Sequence, residues 1–248
     1  MDRPYVVCHM LASLDGKIDG AFMSAPEAAA AGKKYGSLRE FYACNATLYG
    51  TVTMAGSYSD GYAGNLPHSD VRCPKEDYIA ESDVNNYIVS VDPKGTLGWS
   101  SKYIEKKRRP RAHVIEILTG QVSEDYLAYL RSFDISYIFA GEEQLDCKLL
   151  LHKLKECFAS DRLMVAGGGT MNWSLLQEDM IDELSLLVAP VADGNRTAVS
   201  IFEKADFLPE REPAAFPAAD SLFYTRLIFF LVLSLSPSIG VFYCPVPS

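Results

Sequence analysis

The chain has 248 residues, of which 48% are hydrophobic and 22% are charged. This composition is typical of a globular protein, and it excludes collagen, a coiled coil or a largely disordered chain as the main structure. The net charge of −9 at pH 7 argues against nucleic-acid binding, which needs a basic surface. The six cysteines form no CxxC pair and have no histidine at zinc spacing, so we expect reduced thiols and no metal site.

Short β-branched runs alternate with helical patterns along the chain. The runs at 5–12, 46–50 and 87–91 predict strands, and the order strand–helix–strand recurs between residues 113 and 189. That order favours a mainly parallel central sheet with helices on both faces, and Ser123 and Asp146 are the predicted N-caps of two of these helices. The sequence therefore predicts a single three-layer α/β domain over residues 1–248.

Two segments depart from this alternation. Residues 58–86 are polar and rich in turn-forming residues, and a loop of that length is typical of a lid, a binding loop or an oligomer contact. The basic run Lys106-Lys107-Arg108-Arg109 indicates a solvated loop, with a phosphate-binding patch and a localisation signal as alternatives.

The C-terminal segment 226–248 carries one charged side chain, at its first position. We expect Leu227–Leu235 and Ile239–Tyr243 to form two antiparallel strands around Ser236-Pro237-Ser238. A disordered terminus and a membrane anchor are the alternatives, but an anchor needs about 20 continuous apolar residues.

The strongest local signal lies at residues 163–173, where an apolar run is followed by three glycines and a helix start. Glycines let the backbone approach a ligand closely, and a helix N-terminus offers N–H groups and partial positive charge. The stretch Gly167–Thr170 therefore indicates either a phosphate site or a tight strand-to-helix turn. Its spacing is neither GxGxxG nor that of a P-loop.

A second strand end carries similar residues. The run at 46–50 ends in Gly50, and Thr51 and Thr53 are placed to cap a following helix and to offer hydroxyl groups. Because ligands of open α/β sheets collect at the carboxyl ends of strands, two such ends could bracket an elongated dinucleotide.

The first predicted strand is followed by two Asp-Gly pairs, Asp15-Gly16 and Asp19-Gly20. Such pairs are turn-forming, so by themselves they indicate a tight hairpin or a loop. Within that strand, His9 faces either a cleft or the core. It is either a substrate contact or a hydrogen-bonded core histidine.

Together these segments resemble the reductase domain, which is the C-terminal domain, of the bacterial bifunctional riboflavin-biosynthesis protein. That family has the dihydrofolate-reductase-like fold, and its NADPH reduces the ribosyl ring of a phosphoribosylamino-pyrimidine to a ribityl chain. The resemblance implies a cytoplasmic, homodimeric NADPH oxidoreductase of riboflavin biosynthesis, similar to 5-amino-6-(5-phosphoribosylamino)uracil reductase. It covers residues 3–194 and rests on Arg3–Val6, Ser13–Ile18, Gly50–Thr53, Gly167–Leu176, Asp182–Leu184 and Ala189-Pro190.

The resemblance also implies where the cofactor binds. Ala12 and Ile18 would lie at the nicotinamide, and Ser90, with Lys94 nearby, would contact the 2′-phosphate. The cofactor phosphates and ribose would be held by residues of the two glycine-containing strand ends: Gly50, Thr51, Thr53, Gly167, Gly168, Gly169 and Thr170.

On the substrate side, the resemblance implies contacts from His9 and Ser13 and a proton-donating role for Asp15, with water as the alternative donor. The family usually has Lys where His9 stands and Glu where Ala166 stands, and its Asp-x-Pro stretch is not recognisable in residues 55–66. These differences fall at substrate-facing positions of the family. A reductase of another small molecule and a non-catalytic dinucleotide-binding protein are therefore the alternative functions.

Overall fold

The computed structural model describes residues 2–107, 109–210, 212–214, 221–225 and 228–234, the last two ranges as backbone only. Within these ranges the chain forms ten strands and five α-helices. The strands are β1 Tyr5–Ala12, β2 Ala46–Gly50, β3 Tyr87–Val91, β4 Tyr103–Ile104, β5 Ala112–Leu118, β6 Ser136–Phe139, β7 Arg162–Val165, β8 Glu183–Val188, β9 Ser221–Thr225 and β10 Ile228–Ser234. The helices are α1 Ala29–Tyr42, α2 Thr51–Ser57, α3 Glu124–Ser132, α4 Cys147–Phe158 and α5 Gly169–Gln177.

The ten described strands form one sheet in the order β4-β5-β3-β2-β7-β1-β8-β10-β9, and β6 also pairs with β5. Its seven central strands run parallel to one another, whereas β4, β9 and β10 pair with their neighbours in antiparallel fashion. The predicted parallel sheet with antiparallel C-terminal strands is therefore confirmed.

Helices cover both faces of this sheet, because alternate strand residues point to opposite sides. On one side, which we call the apolar face, Cys8, Leu48 and Ile115 pack against the buried residues of α4 and α5. On the other side Val7 packs against α1 and Val114 packs against α3. The second side is called the polar face because its strands also carry buried polar residues: His9, Thr47, Ser90, Glu116 and Ser185.

Two helix starts follow from their capping residues. Ser123 accepts a hydrogen bond from the Tyr126 N–H at the start of α3, and Asp146 accepts one from the Leu149 N–H at the start of α4. Such caps satisfy N–H groups that the first turn leaves without a helical partner. Both caps were expected from the sequence, and both are confirmed.

The long 58–86 segment lies along the outer edge of the sheet. Tyr78 forms an antiparallel bridge with Tyr137 of β6, and the Ala80 N–H donates to the Ser136 hydroxyl at 3.0 Å. An unpaired edge strand is a site of unwanted association, and covering it removes that liability. This part of the segment, around Tyr78 and Ala80, therefore covers the edge of β6.

The expected strand at Leu227–Leu235 is confirmed as β10, which pairs antiparallel with β8. Its hairpin partner differs from the prediction, because β9 precedes it in the chain and supplies the second antiparallel pairing. The other expected strand, Ile239–Tyr243, lies outside the described residues. None of the helices in the described ranges is long and apolar enough to cross a membrane.

Candidate active site

The two glycine-containing strand ends meet at one edge of the sheet. β7 lies beside β2, and the Gly50 N–H donates to the Gly167 carbonyl at 3.1 Å. A Cβ atom on Gly50 would lie 3.9 Å from the Gly168 nitrogen, and one on Gly168 would lie 3.9 Å from the Thr53 Oγ1. The structure therefore brings Gly50 and Thr53 beside Gly167 and Gly168, as parallel pairing of their strands requires.

The turn between β7 and α5, residues 166–169, has a backbone suited to close approach by a ligand. Gly167 has a φ of 102°, a conformation that other residues rarely adopt. Helix α5 then begins at Gly169 without a side-chain cap. Its first N–H groups and the positive end of its dipole face the turn, which is the arrangement that binds anions at helix N-termini.

The neighbouring helix α2 begins differently from the prediction. Gly50 is its N-cap and no side chain caps it, so the expected capping roles of Thr51 and Thr53 are wrong. The Thr51 hydroxyl instead donates to the Val91 carbonyl at 2.7 Å and ties α2 to the end of β3. Of the two threonine hydroxyl groups, the one of Thr53 lies beside Gly168.

The end of β1 contributes an apolar wall to the same edge. A Cβ atom on Gly167 would lie 3.9 Å from the Ile18 Cδ1 and 3.5 Å from the Met10 Cε. Ala12 is fully buried, and its carbonyl accepts from the Ala189 N–H at 2.8 Å. Of the two residues expected at the nicotinamide, Ile18 is therefore the one whose side chain faces the glycine turn.

His9 is a core histidine, which corrects the expected substrate contact. Its side chain is fully buried, stacks on the Tyr35 ring at 4.2 Å, and pairs with the Ser185 hydroxyl and the Tyr35 carbonyl at 2.9 and 3.0 Å. Burial lowers the pKa of His9 to about 4, so the ring is neutral. Strand alternation points this side chain beneath α1 and into the core.

Ser90 is also placed differently from the expectation. It is fully buried on the polar face and lies opposite Glu116 in the β3–β5 pairing. A side chain in this position cannot reach a 2′-phosphate, so the expected contact is wrong. Lys94, which follows in the turn after β3, is exposed.

Ser13 and Asp15 hold the loop after β1 together. The buried Ser13 hydroxyl donates to the Asp15 carboxylate at 2.6 Å, and that carboxylate also accepts from the N–H groups of Asp193 and Gly194, each at 2.9 Å. The hydrogen bond from Ser13 and those from the two backbone N–H groups hold the pKa of Asp15 well below its usual range. A carboxylate that stays ionised cannot donate a proton near pH 7, so this geometry does not support the expected proton-donor role.

Arginine and tyrosine side chains form one further cluster that was not predicted from the sequence. Its members are Arg39, Tyr49, Tyr58 and Arg109. We call it the Arg39–Arg109 cluster. The Tyr49 hydroxyl lies 3.3 Å from an Arg39 guanidinium nitrogen, and 2.8 Å from both an Arg109 nitrogen and the Tyr58 hydroxyl. Tyr49 immediately precedes Gly50, so the cluster adjoins the glycine-containing edge.

The charges of this cluster are unbalanced. Among the described residues, no carboxylate forms an ion pair with Arg39 or Arg109. Burial acts to raise the pKa of Tyr49, but the two guanidinium charges and the hydrogen bonds from Tyr58 and Arg109 outweigh it, and the pKa is lowered. The nearest sequence signal was the basic run ending at Arg109, for which a phosphate-binding patch was one alternative.

The sequence matches the RibD C-terminal domain family over residues 4–217. The chain belongs to this family. Two named reductases are similar to this chain over a short segment. The 2,5-diamino-6-ribosylamino-4(3H)-pyrimidinone 5′-phosphate reductase of Methanothermobacter thermautotrophicus is 35% identical over 66 residues, which are 27% of this chain and 30% of that protein. The enzyme of the same name from Archaeoglobus fulgidus is 34% identical over 68 residues, or 27% of this chain and 31% of that protein.

Solved structures show the shared RibD C-terminal fold at low sequence identity. A pyrimidine reductase-like protein of Corynebacterium diphtheriae superposes with a TM-score of 0.63 at 12% identity, covering 93% of this chain and 91% of that one. The riboflavin biosynthesis reductase Rib7 of Saccharomyces cerevisiae gives 0.62 at 16% identity, with 94% and 90% covered. RibD of Acinetobacter baumannii gives 0.56 at 18% identity, with 94% of this chain and 58% of that chain covered.

Proposed function

We propose that this RibD C-terminal domain is an NADPH-dependent reductase of a phosphorylated ribosylamino-pyrimidine. The observation that carries the proposal is the contact between Gly50 and the Gly167–Gly169 turn at the carboxyl edge of the sheet. Membership of the family supports the same activity, because its archaeal relatives are named as pyrimidinone 5′-phosphate reductases.

The glycine turn fits the pyrophosphate of a dinucleotide. Space opens beside Gly168, since a Cβ atom there would approach no backbone atom within 4 Å. The first N–H groups of α5 and the Thr53 hydroxyl are the donors that would hold the phosphates, with Ile18 beside the nicotinamide. NADPH, when bound, supplies the hydride, and the chain contributes binding and orientation.

Preference for NADPH over NADH rests on local charge. Because the whole chain carries a net charge of −9, a 2′-phosphate needs a nearby cation, and the exposed Lys94 follows β3 at this edge. Equal affinity for the two cofactors in a fluorescence titration would remove this part of the proposal.

The Arg39–Arg109 cluster suits the phosphate of the acceptor. Guanidinium groups bind phosphate through paired, charge-assisted hydrogen bonds, and here two of them share phenol partners without a carboxylate among the described residues. A bound phosphate would supply the missing negative charge. Since Asp15 stays ionised, we assign delivery of the proton to water.

A second candidate is a reductase of a different phosphorylated acceptor. The burial of His9 favours it, because the family usually has a Lys at this position while this chain has a neutral core residue. The same holds for Ala166, which cannot replace the charge of the usual Glu. Both candidates share the cofactor site and differ only in the acceptor.

Steady-state oxidation of NADPH with the phosphoribosylamino-pyrimidine tests the proposal. Turnover supports it, NADPH binding with turnover of another acceptor supports the second candidate, and NADPH binding without any turnover indicates a non-catalytic protein. Gly168→Asp should weaken NADPH binding by about 100-fold or more, because it adds a negative charge beside the phosphates, whereas Gly168→Ala should weaken it far less. Equal affinities for the two variants would place the pyrophosphate elsewhere.

The expected homodimer and the cytoplasmic location remain predictions. Light scattering coupled to size-exclusion chromatography measures the first, and a monomer at micromolar concentration would contradict it. Fractionation of cells that express the full chain measures the second.

A further inference from the structure

The loop after β1 is joined to a distant segment, residues 191–203, by hydrogen bonds along its length. The Leu14 N–H donates to the Val191 carbonyl and the Ile18 N–H donates to the Val199 carbonyl, both at 2.9 Å. The Lys17 ammonium donates to the Ala198 carbonyl at 2.8 Å. The 191–203 segment has no regular secondary structure, so its course depends on these bonds and on the packing of Ile201 and Phe202 against the apolar core.

Asp15 is the centre of this junction. One carboxylate oxygen accepts from the Ser13 hydroxyl and the Asp193 N–H, and the other accepts from the Gly194 N–H. Hydrogen bonds to an ionised acceptor are about twice as strong as neutral ones. A single side chain thereby anchors two successive backbone N–H groups of the 191–203 segment.

The other end of the segment rests on the start of α5. The Glu203 N–H donates to the Gly169 carbonyl at 3.1 Å, and the Asn172 side-chain amide donates to the Ile201 carbonyl at 2.7 Å. A Cβ atom on Gly169 would overlap the Ser200 carbonyl oxygen, so the segment packs directly on the glycine turn. The Asp15 junction and the start of α5 are therefore two of the attachment points of one segment.

We infer that Asp15 is a positioning residue, whose carboxylate fixes the 191–203 segment against Gly169 and so holds the glycine turn in its binding conformation. The inference rests on the proposed function in one respect, the assignment of that turn to the cofactor. The depressed pKa of Asp15 agrees with it, because a carboxylate that is ionised from weakly acidic to alkaline pH anchors the segment throughout that range.

Positioning and proton donation by Asp15 have different consequences. Loss of a proton donor lowers kcat and removes one limb of its pH profile, while NADPH affinity stays unchanged. Loss of a positioning residue loosens the 191–203 segment and weakens NADPH binding, while the pH profile of kcat keeps its shape. The two roles can therefore be separated in one variant.

Asp15→Asn is the test, with Asp19→Asn as its matched control. Asp19 is the acid of the neighbouring Asp-Gly pair and is exposed, and within the described part of the chain its carboxylate accepts a hydrogen bond only from the N–H of Gly20. Asn at position 15 keeps the shape of the side chain, but it loses the charge and turns an N–H group toward one of the backbone donors. Hydrogen–deuterium exchange is measured on both full-length variants without ligand, followed by titration with NADPH.

We expect the amides of 199–203 and 169–171 to exchange about 10-fold faster in Asp15→Asn, and the Kd for NADPH to rise about 10-fold. Asp19→Asn should leave both unchanged. Exchange in Asp15→Asn equal to that of the control overturns the inference, as does unchanged NADPH affinity with a lost limb of the pH profile. If the wild-type chain does not bind NADPH, the proposed function fails, and the exchange data still decide whether Asp15 positions the turn.

Discussion

The two faces of the sheet are built from the same strands and differ in what they carry. On the apolar face, Leu48 and Ile115 meet α4 and α5 in a continuous hydrophobic core. On the polar face, the adjacent strand positions hold Tyr49 and Glu116 beneath α1 and α3. A strand that alternates in this way uses one face as scaffold and leaves the other free to carry polar chemistry.

The polar groups of the second face are satisfied to different degrees. His9 has a hydrogen-bond partner for each ring nitrogen, whereas the fully buried Glu116 carboxyl lies near the side chains of Ser90 and Trp99 and the charge of Asp92. In the Arg39–Arg109 cluster the donors outnumber the acceptors. The polar face therefore holds three kinds of polar group. They are the hydrogen-bonded His9, the buried acid Glu116 and the Arg39–Arg109 cluster, whose positive charge attracts anions.

The largest effect on stability is expected on the apolar face. Leu150→Ala should lower the free energy of unfolding by about 2–5 kcal/mol, because it leaves a cavity beside fully buried neighbours. Urea denaturation at pH 7 measures the loss. Lys148→Ala, on the exposed side of the same helix, should stay within about 0.5 kcal/mol of wild type. If Leu150→Ala lowered the free energy of unfolding by less than Lys148→Ala does, the apolar face would not be the main source of stability.

On the polar face, Arg109→Leu should act on the substrate and not on stability. Loss of one charge-assisted contact should raise the KM for the phosphorylated acceptor by roughly 10- to 100-fold. Lys107→Leu removes the same charge from an exposed neighbouring position and serves as the control. Steady-state kinetics with each variant would contradict the prediction if both KM values rose equally.

His9 should make the polar face sensitive to acid. Its pKa is lowered to about 4 by burial, against 6.5 for an unperturbed ring, so the unfolded chain binds more protons as the pH falls below 6.5. Stability is complete above pH 6.5, and His9 should remove about 1.4 kcal/mol per pH unit as the pH falls toward 4. His9→Gln should flatten this slope in unfolding experiments between pH 7 and 5.

The effect of Glu116 on the pH dependence of stability should be opposite to that of His9. It should be visible only as a change in the slope of the free energy of unfolding against pH. Burial, and next the charge of Asp92, raise its pKa well above 4.5, so the folded chain keeps the carboxyl neutral after the unfolded chain has ionised. The stability contributed at low pH is then lost as the pH rises through the folded pKa. Glu116→Gln should flatten the alkaline side of the stability profile, whereas the exposed Glu76→Gln should reproduce wild type.

Local pattern was sufficient for much of the fold. The β-branched runs predicted β1, β2 and β3 at the bounds that the structure has, and Ser123 and Asp146 marked two helix starts. These features depend on interactions within a few residues. The contact between Gly50 and the glycine turn was also predictable, because the carboxyl ends of neighbouring parallel strands must share an edge.

The orientation of single side chains was not predictable. Alternation gives the period of a strand, but which of its faces lies under a helix depends on how the helices pack. His9 and Ser90 were therefore assigned to ligands although both point into the polar face.

By itself the sequence determined the elements, the parallel sheet and the glycine-rich edge, since each is encoded by neighbouring residues. Only the tertiary structure decided that Arg39 and Arg109 share the Tyr49 hydroxyl, and that Asp15 anchors a segment lying on Gly169. These residues are far apart in the chain. Their contacts arise from strand order and loop packing, which no local pattern records.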